Sequence, residues 1–450
     1  MEFYNIERLL GCVADGVKVK DILDKAEQCV GLTVEEAAAL LLLPGEWNEG
    51  IFASARKVKQ ALYGPRVVLF APLYISNLCT NSCLYCSFRQ ENKQLTRRKL
   101  TQDEIAEQTR LLIAMGHKRV LLETGEDLTQ TPIEYVLESI HTIYSIRHIG
   151  NGIRRVNVNI AATSTDNYQK LRAAGIGTYQ LFQETYHQPT YEFMHPSGPK
   201  ADFNYHLTAM ERAINGGVDD FGLGALLGLY DYRFEVLSLI AHAQYLKKTH
   251  GIGPHTVSVP RLRPARNTRY PENHLVDDNS FARIVAILRL ALPYTGIILS
   301  TREAPLMREF LLDVGVSQMS AASATSPGGY GKSDENTQFE GIDHRSLDEV
   351  VGSIISKGYV PSFCTGCYRK QRTGARFMDL VEHGHIKELC QSNALLTLAE
   401  YLEQYGSSDT RTAASLQWDG WIGQIPEGTL RESTRARLQR VFSGERDVYV

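Results

Sequence analysis

Between residues 66 and 356 the chain alternates eight times between a short apolar, β-prone run and a segment with helical signals. Strands are expected at 66–75, 118–123, 155–160, 178–184, 220–227, 256–262, 297–302 and 316–321. The helices that follow them are expected at 101–115, 132–149, 165–174, 203–215, 233–249, 280–292, 305–313 and 347–356. Thr101 and Glu104 form a capping box, Gly116 stops that helix, and Pro132 opens the next. Strands alternating with helices pair in parallel. Eight such units close into a (β/α)8 barrel, with an open doubly wound sheet as the alternative. In both, the loops after the strand C-termini carry the chemistry.

The barrel accounts for residues 66–358 of a 450-residue chain. Residues 1–65 read as a helical extension. In it Thr33 and Glu36 cap an apolar run at 37–43, and Gly64-Pro65 ends a second helix at 50–63. Residues 359–450 read as an appendage with its own metal site, a helix at 393–405, a Ser/Asp turn and a charged tail. A net charge of −3 gives no reason to expect nucleic acid or a membrane surface as partner. The opening MEFYNIERLL has no basic flank and apolar run, and no apolar stretch approaches the roughly 18–20 residues that span a bilayer. Neither a signal peptide nor a membrane span is expected. The chain has eight cysteines, six of them in two groups, which favours metal ligation in a reducing cytoplasm over disulfides. Cys12 and Cys29 lie outside the groups and read as inert.

The first group is Cys79-Thr80-Asn81-Ser82-Cys83-Leu84-Tyr85-Cys86, directly after the first expected strand. A [4Fe–4S] cluster normally takes four cysteines, so three leave one iron open to a ligand. A zinc site or unligated thiols are the alternatives. Polar residues gather at the other strand ends: Glu123-Thr124-Gly125-Glu126, Asn157 and Asn159, Gln183-Glu184, Arg261 and Arg263, and Ser300-Thr301-Arg302. Polar groups are costly in a barrel unless they serve a ligand or a partner. Arg302 suits a bidentate bond to an α-carboxylate, or else a salt bridge at the rim. The second group, Cys364, Cys367 and Cys390, repeats the three-thiol arrangement. It fits a second cluster, or a zinc site completed by His383 or His385.

The three-cysteine spacing with Tyr85 resembles the signature of the radical S-adenosylmethionine (SAM) superfamily, and Gly125-Glu126 resembles its GE motif. Over residues 50–405 the likeness is closer still. The segments ISNLCTNSCLYCSFR, GHKRVLLETGE, QLFQETYH, GLYDYRFEVLSLIAHA, GPHTVSVPRLRPA and SFCTGCYRKQRTG resemble the HydG family, the tyrosine lyases of [FeFe]-hydrogenase maturation. The thiazole-forming ThiH lyases resemble the barrel but lack the second cysteine set.

The resemblance implies two [4Fe–4S] clusters, the first held by Cys79, Cys83 and Cys86 and the auxiliary one by Cys364, Cys367 and Cys390. It implies SAM held by Tyr85, Gly125, Glu126, Asn159, Glu184 and Arg261, and L-tyrosine held by Gln183, Ser300 and Arg302. Radical cleavage of the tyrosine Cα–Cβ bond then gives p-cresol and dehydroglycine. Dehydroglycine becomes carbon monoxide and cyanide at the auxiliary cluster, for an iron synthon of the hydrogenase. An extra labile iron there has a histidine ligand, with His255 the candidate and His242 the rival, and L-cysteine as a further ligand. The implied partners are a ferredoxin or flavodoxin and the other maturases. A thiazole-type lyase and a non-catalytic iron–sulfur carrier are the competing functions.

Topology adds that the two cysteine sets lie at opposite mouths, separated by a strand length of roughly 17–26 Å. A tunnel between them is expected, with Gly222, Gly224, Ala225, Ser258 and Ser300 leaving room for it. One departure stands out. The family pattern SAGSRT reads Ser320-Ala321-Ala322-Ser323-Ala324-Thr325 here, which puts in doubt the contacts normally made from that loop.

Overall fold

A computed structural model describes residues 6–11, 16–265, 267–270, 272–332, 336–370, 372–382 and 386–450. Eight parallel strands form the barrel: β1 Arg66–Ser76, β2 Arg119–Thr124, β3 Arg155–Asn159, β4 Tyr179–Phe182, β5 Phe221–Gly224, β6 Thr256–Ser258, β7 Gly296–Leu299 and β8 Gln318–Ser320. Each pairs with the next, and β8 returns to β1 to close the ring. The open doubly wound sheet is excluded. A ninth strand, β9 Val360–Ser362, was not expected; it pairs in parallel with residues 66–68 of β1. At 11 residues β1 is long enough to hold three partners in succession. Its start meets β9, residues 68–70 meet β8, and residues 71–76 meet β2.

The period of two along each strand divides the interior into two separate cores. Val67, Leu69, Ala71, Leu73 and Ile75 of β1, with Val120 and Leu122 of β2, point outward and pack under the helices. Burial of each such Val, Leu or Ile contributes about 1.5–3 kcal/mol. Phe70, Leu121 and Ile298 point inward and form a small apolar collar inside the barrel.

Several strands stop earlier than expected, β4 at Phe182, β6 at Ser258 and β7 at Leu299. The polar residues beyond them belong to loops at the upper mouth. The expected helix at 203–215 is two helices, Phe203–Leu207 and Ala209–Asn215, and a further helix Gln188–Met194 precedes them. The expected helix at 132–149 ends at Ser145, and Pro132 is its cap rather than its first turn.

The N-terminal extension is tied down by Arg283, which donates to the carbonyls of Leu41, Leu43 and Pro44 and to Asn48 Oδ1. The charged tail is a correction: it folds into the helices Ser408–Ser415, Trp418–Gly423 and Thr429–Phe442. Of their apolar residues Trp421, Leu438 and Val441 are buried while Phe442 is exposed, and Trp421 Nε1 donates to the Gly358 carbonyl at 3.0 Å. A sparse apolar face diluted by charge hides such helices in a sequence. Among the described residues no helix is long and apolar enough to cross a membrane.

Candidate active site and second cysteine site

The loop after β1 is fixed by main-chain bonds to other barrel loops. Thr80 N donates to the Glu126 carbonyl (2.8 Å), Ser82 N to Ser197 (3.1 Å) and Leu84 N to Met194 (3.0 Å). Arg97 donates to the carbonyls of Asn77, Phe88 and Arg89. Gly125 N donates to the Ser76 carbonyl, and a Cβ there would stand 2.3 Å from the Leu78 oxygen. Only glycine lets the end of β2 come this close to the cysteine loop.

Cys79, Cys83 and Cys86 line a cavity of about 220 Å³ at the upper mouth. Burial pushes the Cys83 thiol well up and the Cys86 thiol up to about 11. The Asn81 and Gln338 amides face Cys79 and Cys86 sulfur at 3.7 and 3.9 Å. Among the described residues no three donors converge tightly enough to hold a single metal ion. One buried and two half-buried thiols with amide donors beside them, on the wall of a roomy cavity, fit a cluster whose positive metal ions favour thiolate.

Of the residues named from sequence, Tyr85, Gly125, Glu126, Asn159, Glu184, Ser300 and Arg302 line the same cavity. Asn81 Nδ2 donates to Glu126 Oε2 (2.6 Å). Tyr85 donates to His195 Nε2 (2.8 Å), because His195 Nδ1 must carry the proton it gives to the Tyr191 carbonyl (2.7 Å). Glu184 has φ +67° and an ion pair with Lys200 Nζ at 2.6 Å. Burial lowers the Lys200 pKa, but the charges of Glu184 and Cys83 more than offset this and hold it above its ordinary value. Arg302 lies 3.4 Å from the centre of the Phe339 ring.

Two of the named residues lie elsewhere. Gln183 is buried in the loop immediately after β4 and does not line the cavity. Arg261 is committed to Glu303, to Asp278 (2.8 Å) and to the Val276 carbonyl, and takes no part in the lining. Ala322 adopts φ +50°, a conformation that costs a residue with a Cβ but not the glycine of the family pattern. Glu123 was noted only as one of the polar residues at the end of β2, and Tyr74, Lys200 and His195 were missed. Strand alternation signals Tyr74, whereas Lys200 and His195 sit in an irregular loop with no local signal.

The cavity reaches down to Phe70, Leu121 and Ile298 and touches none of the groups at the lower mouth. The room expected around the inward glycines is filled. Gln180 and Thr256 occupy the space at Gly222, and Phe182 that at Gly224. Ser258 and Ser300 line the cavity; Gly222, Gly224 and Ala225 do not.

At the lower mouth Cys364 follows β9, and its carbonyl accepts from Arg119 Nη1 (3.1 Å). Gly366 N donates to Cys364 Sγ at 3.2 Å. The hydrogen bond from Cys367 and the nearby Arg66 guanidinium bring the Cys390 thiol down to about 6. The same bond raises Cys367, and burial raises Cys364, so the fit to a second iron–sulfur centre rests on three thiols gathered beside the Arg66 guanidinium. His255 Nδ1 lies 3.4 Å from Asp220 Oδ2, which also accepts from Tyr368, the neighbour of Cys367. His242 instead bonds Tyr186 in the outer core. His383 and His385 lie outside the described residues.

The chain matches the Radical SAM superfamily over residues 73–240 and the Biotin and Thiamin Synthesis associated domain over 258–360. Barrel, thiols and matches together define a radical-SAM enzyme, which works with SAM and an iron–sulfur cluster. A crystal structure of HydG, a maturase of the [FeFe]-hydrogenase, superposes with TM-score 0.97 at 47% identity, covering 100% of both chains. HydG from Carboxydothermus hydrogenoformans gives 0.82 at 44% identity over 94% of each. The 2-iminoacetate synthase of Salmonella typhimurium is 30% identical, covering 75% of this chain and 89% of its own. The chain belongs to the HydG family.

Proposed function

We propose that this enzyme cleaves the Cα–Cβ bond of L-tyrosine to p-cresol and dehydroglycine, and converts dehydroglycine to carbon monoxide and cyanide for an [FeFe]-hydrogenase. The observation that carries this reading is the second cysteine set at the mouth opposite the first. A thiazole-type lyase has no use for that set, and a carrier has no use for the cavity.

Cys79, Cys83 and Cys86 hold the first [4Fe–4S] cluster. When reduced, that cluster supplies the electron that cleaves SAM. Asn159, Gly125, Glu126 and Tyr85 hold SAM, with Glu184 kept in place by Lys200. Arg302 takes the substrate carboxylate beside Ser300. Gln183 and Arg261 drop out of the contact set because neither faces the cavity. Cys364, Cys367 and Cys390 hold the auxiliary cluster. His255, kept neutral by a burial that lowers its pKa to about 4, is the ligand for an extra iron, with L-cysteine as a further ligand. A ferredoxin or flavodoxin in the cytoplasm supplies electrons, and the other maturases receive the product.

The test compares anaerobically reconstituted wild type with Cys364→Ser/Cys367→Ser in the presence of SAM, L-tyrosine and dithionite. The variant is expected to keep p-cresol and lose carbon monoxide. Wild type that makes p-cresol without either diatomic product supports the thiazole-type reading instead.

A further inference from the structure

One half-buried acid on the cavity wall has no task in the scheme above. Glu123 is the last inward residue of β2 and lines the cavity with the three thiols and Arg302. The Tyr74 hydroxyl stands beside its carboxyl group and has a single proton to share between Glu123 and Gln338 Oε1 (2.8 Å); Arg302 acts on Glu123 by charge at a distance. Tyr330 also feels the Glu123 charge, and Glu184 and Cys86 act on Arg302. Of the charged groups in the lining, Lys200 is paired with Glu184 and Glu126 is bonded to the Asn81 amide, which leaves Arg302 and Glu123 with no ion pair between them among the described residues. A zwitterionic α-amino acid complements that pair, carboxylate to Arg302 and ammonium to Glu123.

We infer that Glu123 is the general base that takes one proton from the α-ammonium group of the amino-acid substrate. The inference rests on the tyrosine-lyase reading. Hydrogen-atom abstraction from nitrogen needs a neutral amine, since removal from an ammonium would leave an aminium radical cation. In the step, one N–H bond breaks heterolytically and its electron pair stays on nitrogen. An O–H bond forms on Glu123, and nothing is oxidised or reduced.

Burial suits the carboxylate to the task. It raises the Glu123 pKa to about 7, against the lowering effects of Tyr74 and Arg302. The α-amino group of a chain terminus titrates near ~8, and that of a free amino acid about one unit higher because its own carboxylate favours the ammonium, so the transfer is about a hundredfold uphill. An ordinary glutamate near ~4.3 would make it tens of thousands-fold uphill, at roughly five units.

The test uses reconstituted holoenzyme with SAM, L-tyrosine and dithionite between pH 5.5 and 8.5, following p-cresol and 5′-deoxyadenosine. Tyrosine affinity is measured by calorimetry without reductant, and iron content is checked for each variant. Wild-type p-cresol formation is expected to fall about tenfold per pH unit below a pKa near 7. Glu123→Gln is expected to lower p-cresol about 100-fold or more, abolish the acid limb and shift tyrosine affinity only a few-fold. Formate is expected to restore turnover to Glu123→Ala and not to Glu123→Gln. An unchanged acid limb in Glu123→Gln, or a loss of affinity as large as the loss of turnover, overturns the base assignment. Absence of p-cresol from wild type overturns the tyrosine reading itself, and the base with it.

Discussion

Arg119 and Glu123 stand on the same inward face of β2 and reach opposite mouths of the barrel. Arg119 donates to the Cys364 carbonyl at the lower mouth, and Glu123 lines the cavity of the three upper thiols. Four residues of strand separate them by about 13 Å. Leu121, midway, completes the collar with Phe70 and Ile298. One strand thus joins both ends of the proposed reaction sequence, and a product formed above must pass the collar to react below.

Enlarging the collar is therefore expected to separate the two half-reactions. Ile298→Phe should leave p-cresol within about twofold of wild type and lower carbon monoxide and cyanide at least tenfold, with glyoxylate appearing as the stranded imine hydrolyses. Overpacking of this kind costs about 1–3 kcal/mol, so folding is checked by thermal denaturation. Unchanged diatomic yield means that the product does not travel through the lumen.

Gly125→Ala tests the approach between the end of β2 and the cysteine loop. The new methyl collides with the Leu78 oxygen, a backbone atom that other main-chain bonds hold in place. Displacement of the loop should cost the first cluster, with bound iron falling by about half and p-cresol lost. Full iron content with normal turnover would show that the loop yields freely.

Arg261→Met separates a SAM contact from a structural role. Glu303 is buried and would lose the bidentate partner that Arg261 provides, keeping only Arg263. Breaking one side of a buried pair costs about 3–5 kcal/mol. A large drop in the denaturation midpoint with unchanged SAM affinity is expected. The reverse pattern would return Arg261 to the SAM site.

His195 makes folding sensitive to acid. Burial pushes its pKa down to about 2, so it stays neutral and accepts from Tyr85, whereas the unfolded chain takes up a proton below about 6.5. The stability it contributes is complete above about pH 6.5 and falls by about 1.4 kcal/mol per unit below it. Denaturant unfolding at pH 7.0 and 5.5 should show a smaller acid loss for His195→Asn than for wild type, by about 1.4 kcal/mol. Equal losses would mean that His195 does not contribute to the acid sensitivity.

The barrel and both cysteine sets were legible from sequence because they rest on local patterns. Apolar runs with a period of two, capping boxes such as Thr101 with Glu104, and thiols within a few residues of each other carry their meaning in adjacent positions. The three C-terminal helices were not, since their buried residues are few and their partners lie far along the chain.

The site divides in the same way. Cys79, Cys83, Cys86, Gly125, Glu126 and Arg302 follow from position after a strand, and they meet in one cavity. Sequence position placed Arg261 and Gln183 there as well. Only the tertiary structure sent Arg261 to Glu303 and turned Gln183 away, because an ion pair between two loops and the path of the chain beyond a strand end are settled by packing. Packing also brought Lys200 to Glu184 and His195 to Tyr85, and closed the lumen with Phe70, Leu121 and Ile298. Each of these contacts joins residues that are distant in the chain, and nothing in a local pattern encodes which distant side chain fills a given space.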